Sequence, residues 1–176
     1  MTRLNVLEIP HPILTQKALP VEEVTPEIRK LLTDMLETMY ATHGVGLAGN
    51  QVGVLKRVVV IDCAGEGENP DPIKMVNPEI IWKSEEMLCR SEGCLSIPRE
   101  YADVERHARV TVRYTDENGQ ICERTADGLL GVAIQHETDH LDGILFIDHL
   151  SMLKRQRLIK HLEKRRRKQM REAEQE

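Results

Sequence analysis

Apolar residues recur along this chain with two different periods. Between Thr25 and Met39 they fall at Ile28, Leu31, Leu32, Met35, Leu36 and Met39, the spacing of one face of an α-helix. Thr25 is suited to cap that helix and Pro26 to occupy its first turn, so its start is well marked and its leucines and methionines read as core. From Ala108 to Tyr114 the period is two, and Asp116-Glu117-Asn118-Gly119 separates this run from Gln120 to Arg124, which predicts a β-hairpin. Val58 to Ile61 predicts a short strand, and Lys74 to Trp82 predicts another, interrupted by Pro78. Gly128 to Ile134 is apolar almost all round and runs on into Gln135-His136-Glu137-Thr138-Asp139-His140. This predicts a buried helix opened by Asp127 and closed by Gly143. Ser151 opens a last helix, with Leu153, Leu158, Ile159 and Leu162 as a partial stripe and Lys164 to Lys168 as a charged rod. Residues 1–24 form an irregular arm in which Pro10-His11-Pro12 imposes extended geometry and Leu14 is available to pack. The expected fold is α+β: a mixed or antiparallel sheet wrapped around the buried helix, with helices in the N-terminal third and at the C-terminus.

Composition narrows the range of functions. At 176 residues, with 40% hydrophobic and 30% charged side chains, the chain has the length and balance of one globular domain. Aromatic residues are only 3%, too few for a stacking surface on single-stranded nucleic acid, and no DNA partner is expected. No apolar run approaches the ~20 residues that cross a bilayer, and Met1 to Asn5 do not lead into a signal-peptide core, so a cytoplasmic protein without a membrane partner is expected. Cys63, Cys89, Cys94 and Cys122 follow no disulfide framework, and in a reducing compartment each is by default a free thiol. Charge is segregated. Residues 1–153 carry 14 basic and 25 acidic side chains, net −11, whereas residues 154–176 carry 10 basic and 4 acidic, net +6. A basic tail on an acidic body suggests a polyanionic partner.

His136 and His140 are four residues apart, which on a helix places two imidazoles on one face with Glu137 at its edge. Two such nitrogens can hold one divalent metal, and the adjacent carboxylate can move protons on a water at that metal, which is the mechanical content of HExxH. Taken alone, the pattern also suits a surface helix with two solvated histidines. The apolar run before it argues instead for burial, where imidazoles need partners. A common extension of the motif ends in a third histidine, but here that position is Phe146, so the third ligand comes from elsewhere: His149, Asp148 or Cys94.

The remaining chemistry sits in two short stretches. Gly44 to Gly53 is too rich in glycine for a helix, lacks the ending of a phosphate loop, and follows a helix where a dinucleotide fingerprint would follow a strand. It reads as a loop lining a site by close backbone approach, with Gln51 suited to bind a carbonyl; a plain helix-to-strand turn is the simpler alternative. The other stretch is Glu92-Gly93-Cys94-Leu95-Ser96. Together Gly44-Val45-Gly46-Leu47-Ala48 through Gln51, Glu92 to Ser96, and Gln135 to His140 resemble, in order and spacing, the three motifs of peptide deformylases. The resemblance extends from Pro10-His11-Pro12 through Leu145-Phe146-Ile147-Asp148 and weakens in the tail. One departure falls inside a motif: Gly49 stands where the family usually has an alanine, which is expected to loosen the loop.

The resemblance implies a metal-dependent hydrolase that removes the formyl group from N-formylmethionyl nascent chains, with residues 1–153 as the catalytic domain and 154–176 as a basic helical extension. By position it assigns Cys94, His136 and His140 to the metal, and Glu137 to proton transfer. It assigns Gln51 and the backbone N–H of Leu95 to the oxyanion, and Val45, Gly46, Leu129, Val132 and Ala133 to the methionine pocket. It implies ferrous iron, replaceable by zinc, nickel or cobalt, and a ribosome contact through the basic tail. Two rivals remain at this level. One is an HExxH zinc metallopeptidase cutting internal bonds, and the other is a non-catalytic ribosome-binding module.

Overall fold

The computed structural model describes residues 3–65 and 67–173. Among these, the elements run α1 (Pro26–Ala41), β1 (Gly46–Ala48), β2 (Val58–Ile61), β3 (Ile73–Lys83), β4 (Met87–Cys94), β5 (Ile97–His107), β6 (Arg109–Thr115), β7 (Ile121–Asp127), α2 (Gly128–Leu141) and α3 (Met152–Ala173). Five strands form one antiparallel sheet in the order β1-β2-β3-β6-β7, and β4 and β5 form a separate antiparallel pair. No described helix is long and apolar enough to cross a membrane.

The five-stranded sheet is covered on both faces at β2, which explains why this strand reads as an unbroken apolar run. Val58 and Val60 point toward α1, packing with Ile28, Leu32, Met35 and Met39. Val59 and Ile61 point the other way, onto Ala133, Ile134 and Leu141 of α2. Full burial of side chains of this size contributes about 1.5–3 kcal/mol each. A third cluster, with Leu14, Ile97, Val104, Phe146, Ile147 and Leu158, joins the N-terminal arm and α3 to the β4–β5 pair. Thr25 caps α1 by accepting from the Ile28 N–H at 3.4 Å. At the β6–β7 turn the Asp116 carboxylate accepts from the N–H groups of Asn118 (2.8 Å) and Gln120 (2.9 Å).

Pro78 interrupts the β3 ladder as expected, at a register shift between Val76 and Glu79, where Asn77 has φ 52° and its amide bonds both the N–H and the carbonyl of Val21. The structure departs from the sequence expectations in three places. Past Pro98 the chain runs on as β5 to His107, a strand that the sequence did not predict. The glycine-rich stretch is a short strand followed by a 3-10 turn, Gly49–Val52, rather than a loop. Finally, Leu153 is 58% exposed and lies outside the packed stripe of α3, whereas Leu158 is buried.

Candidate active site

The orientation of α2 is set by its ends and by one amide. Gly143, just past the helix, has φ 74°, and an added Cβ would lie 2.6 Å from the Thr15 carbonyl, so only glycine lets the arm close there. Asp127 occupies the cap position with extended backbone but makes no capping hydrogen bond through its side chain. Gln135 fixes the rotation: its Nε2 donates to His107 O (2.9 Å) and Gly131 O (3.0 Å), and its Oε1 accepts from the His107 N–H (3.1 Å). His136 and His140 therefore face the end of β4.

There the chain brings three donors together. Cys94 ends β4 immediately before the two-residue turn Leu95-Ser96. Its Sγ lies 3.2 Å from His140 Nε2, which is 3.2 Å from His136 Nε2, and the three atoms lie within 4.8 Å of one another. His136 Nδ1 lies 2.8 Å from the Glu92 carboxylate, which makes it the donor there and turns the Nε2 lone pair toward the other two atoms. One sulfur and two imidazole nitrogens converging on a point suit a divalent ion with a coordination position left open. The other sequence candidates for a third ligand lie elsewhere. His149 bonds Asp139 at 2.7 Å, and Asp148 accepts from the Leu145 N–H at 2.8 Å.

Behind His136 is a buried ionic network that the sequence reading did not identify. Arg106 donates to Glu92 through Nε (2.7 Å) and Nη2 (3.0 Å), and through Nη1 to Asp139 (2.5 Å). Burial by itself would raise the Glu92 pKa, but hydrogen bonds from His136 and Arg106 outweigh it and hold the carboxyl at about 2. Glu92 is thus a fixed anion that orients the His136 imidazole toward Cys94 and His140. The available signal was parity: Ala102, Val104 and Arg106 alternate on the inward side of β5, and an arginine at such a position needs a buried acid.

Glu137 is 4% exposed, and its Oε2 has no hydrogen-bond partner among the described residues. Burial pushes its pKa up to about 7, with the Glu92 and Asp139 charges adding to the rise and those of His136 and Arg106 opposing it. Gly46 of β1 lies directly over this carboxylate, and a methyl there would collide with it. Gln51 accepts from the Ala48 N–H through Oε1 (2.9 Å), which leaves Nε2 directed at Cys94 Sγ (3.4 Å) and Ser96 Oγ (3.2 Å). Leu95 stands at the first position of the turn, where its N–H is outside the β4–β5 ladder. These residues share a cleft of about 450 Å³ with Val45, Gly46, Leu129, Val132 and Ala133. The apolar wall thus lies beside the donors. Gly49 does not loosen this region: it is buried, and an added Cβ would stand 2.6 Å from the Lys56 carbonyl because the following turn closes onto it.

The chain is similar along most of its length to proteins of one family. Residues 3–156 match the family model of polypeptide deformylase. A peptide deformylase of Phenylobacterium zucineum is 54% identical over 160 residues, covering 91% of this chain and 95% of its own. The crystal structure of a peptide deformylase from Ehrlichia chaffeensis aligns with a TM-score of 0.91 at 38% identity, covering 96% of this chain and 99% of that one. A second structure from that organism, in complex with actinonin, aligns with a TM-score of 0.89 at 40% identity, covering 94% and 98%.

Proposed function

Because the chain belongs to the polypeptide deformylase family, metal-dependent hydrolases that remove the formyl group from nascent polypeptides, we propose that Cys94, His136 and His140 hold its metal and that Glu137, Gln51 and Leu95 carry the reaction. The observation that carries this assignment is the convergence of the three donor atoms within 4.8 Å, beside a buried carboxylate with an unpartnered oxygen. A divalent ion held by these residues, ferrous iron by family resemblance with zinc, nickel or cobalt as substitutes, would supply Lewis acidity and make the attacking water more acidic.

Glu137 accepts a proton from the attacking water as its oxygen adds to the formyl carbon, and delivers that proton to the amine nitrogen as the C–N bond breaks. Formate and a free N-terminal amine result. Charge accumulates on the former carbonyl oxygen, where Gln51 Nε2 and the Leu95 N–H are the available donors; Gln51 is prepositioned because its Oε1 is already engaged by Ala48. Val45, Gly46, Leu129, Val132 and Ala133 take the methionine side chain, which fixes the formyl group over Glu137. The test is formate release from a formyl-Met peptide by metal-loaded protein, with the unformylated peptide as control. Loss of formate release with a chelator and its return with ferrous iron are expected. Cleavage of internal bonds without formate release would favour the peptidase alternative.

A ribosome contact through α3 is the second element of this reading, in a cytoplasmic protein whose catalytic domain spans residues 1–153 and whose basic extension spans 154–176. Residues 174–176 lie outside the described residues. Part of the basic charge is already engaged: Arg155 pairs with Asp148 and Arg165 with Glu100. Lys160, Lys164, Arg167 and Arg171 have no ion pair among the described residues, and their helical spacing puts them on one face. Such a stripe fits a phosphate backbone. Binding should fall steeply with salt through counterion release, and changing these four to glutamine should flatten that slope in ribosome co-sedimentation. Undiminished binding by the quadruple variant would remove the stripe as the contact.

A further inference from the structure

The cleft mouth carries a charge pattern that the reaction does not use. Of the Arg, Lys, Asp and Glu side chains that line it, Glu92 is locked to Arg106 and His136, and Glu137 faces the reacting group. Glu100 is held from behind by α3, with Arg165 Nη2 at 2.8 Å and His161 Nδ1 at 3.0 Å. That leaves Arg90 and Arg99. Both are exposed, and neither forms an ion pair among the described residues. Two unpaired cations at the mouth run against the surrounding field, since residues 1–153 carry a net charge of −11.

Arg99 is placed there by the backbone. Gly93 pairs with Tyr101 and Cys94 with Ile97, so Pro98, Arg99 and Glu100 have no partner on β4 and bulge out of the ladder. Arg99 has φ 64°, a conformation that costs a non-glycine residue energy and that the surroundings must impose. They do so through Arg165, which donates to Pro98 O (3.0 Å) as well as to Glu100. The same guanidinium thus fixes the bulge and neutralises the one acid beside Arg99.

We propose that Arg90 and Arg99 select, among formylated chains, those with acidic side chains directly after the formylmethionine. This rests on the deformylase reading and adds a preference that the reaction itself does not require. The cations act on side chains leaving the cleft, in water, so the effect is modest and screened by salt. It also raises the encounter rate of anionic substrates.

The test measures kcat/KM for three formyl-Met peptides that differ only in carrying aspartate, alanine or lysine at the two positions after methionine. At low salt the aspartate peptide should exceed the lysine peptide by roughly two- to tenfold, with alanine between, and high salt should compress the ratio. In Arg90→Gln/Arg99→Asn the aspartate-to-lysine ratio should fall to near one; asparagine is chosen because it tolerates positive φ. The ratio is taken within one preparation, so partial loss of folding or metal cancels. Arg165→Gln, which releases the Glu100 carboxylate toward Arg99, should lower the ratio as well. A wild-type ratio at or below one, or a ratio unchanged in the double variant, overturns the proposal. Failure on the alanine peptide overturns the deformylase reading instead.

Discussion

Replacing Arg106 with methionine removes the charge at the centre of the buried network while roughly keeping the length of the side chain. Arg106 is 4% exposed and neutralises two carboxylates, Glu92 and Asp139, the first of which is also 4% exposed at its side chain. The variant leaves Glu92 with His136 Nδ1 as its remaining partner. Removing one member of a buried pair costs about 3–5 kcal/mol, because the uncompensated charge stays behind. At ~2–4 °C per kcal/mol for a chain of this size, the melting temperature should fall by roughly 6–20 °C. A second effect concerns metal. Without Arg106 the Glu92 carboxyl is no longer held so far toward its anionic form, its grip on the His136 ring weakens, and metal affinity should drop about 10- to 100-fold. Denaturant unfolding of metal-free protein reads the first effect, and competition with a chelator reads the second. Adding Glu92→Gln to Arg106→Met should recover part of the stability, since no charge is then stranded between Arg106 and His136, but not the metal affinity. The reasoning fails if Arg106→Met unfolds within about 1 kcal/mol of the parent, or if the double variant is less stable than Arg106→Met alone.

Four further outcomes are expected. Glu137→Gln keeps the metal and the shape of the site but loses most formate release, because an amide cannot accept the water's proton; turnover within a few-fold of the parent would exclude Glu137 as the base. Cys94→Ser lowers metal content measured by elemental analysis, whereas Cys63→Ser and Cys122→Ser leave it unchanged, since neither belongs to the converging donor set. Gly46→Ala displaces the Glu137 carboxylate and lowers kcat with metal content preserved, which separates proton transfer from metal binding in one pair of measurements. Tyr40 donates to Asp62, and burial, this hydrogen bond and the Asp62 charge together raise its pKa to about 12. A group raised above its unfolded value of 10 contributes stability fully below pH 10 and loses it as pH climbs toward 12. Tyr40 is 42% exposed, so this contribution is discounted to about 1 kcal/mol, and Tyr40→Phe should flatten the alkaline arm of a stability-versus-pH profile.

What the sequence disclosed and what it concealed follow from how local each signal is. The period and cap of α1, the hairpin with its Asp116 turn, and the two histidines on one face of α2 each depend on residues within a few positions of one another, and all are found as expected. Cys94 joins the histidines only when β4 and β5 close against α2, so spacing left it level with His149 and Asp148 until the family resemblance separated them. The tail illustrates a different limit: counting charges gives +6 but cannot show that Arg165 is used inside the fold, holding Pro98 and Glu100.

Strand β5 and its arginine were the hardest to read, for a reason specific to this pair of strands. Inward positions of β5 are Ala102, Val104 and Arg106, so its buried face reads as small, apolar and charged rather than as a hydrophobic alternation. Across the ladder Arg106 stands opposite Leu88, and Glu92 opposite Ala102. The ion pair therefore does not join facing residues. It spans four positions along the strands, a reach that only a long guanidinium side chain gives, and no rule based on direct cross-strand neighbours connects the two. An arginine with the parity of buried residues, two turns of pleat from an acid two positions before Cys94, is nevertheless a recognisable pattern. Arg106 fits no solvent-facing role in the strand, and a charge placed inward requires an acid within about one arginine's length. Glu92, flanking the glycine beside Cys94, is the acid that also leaves an oxygen free to orient His136.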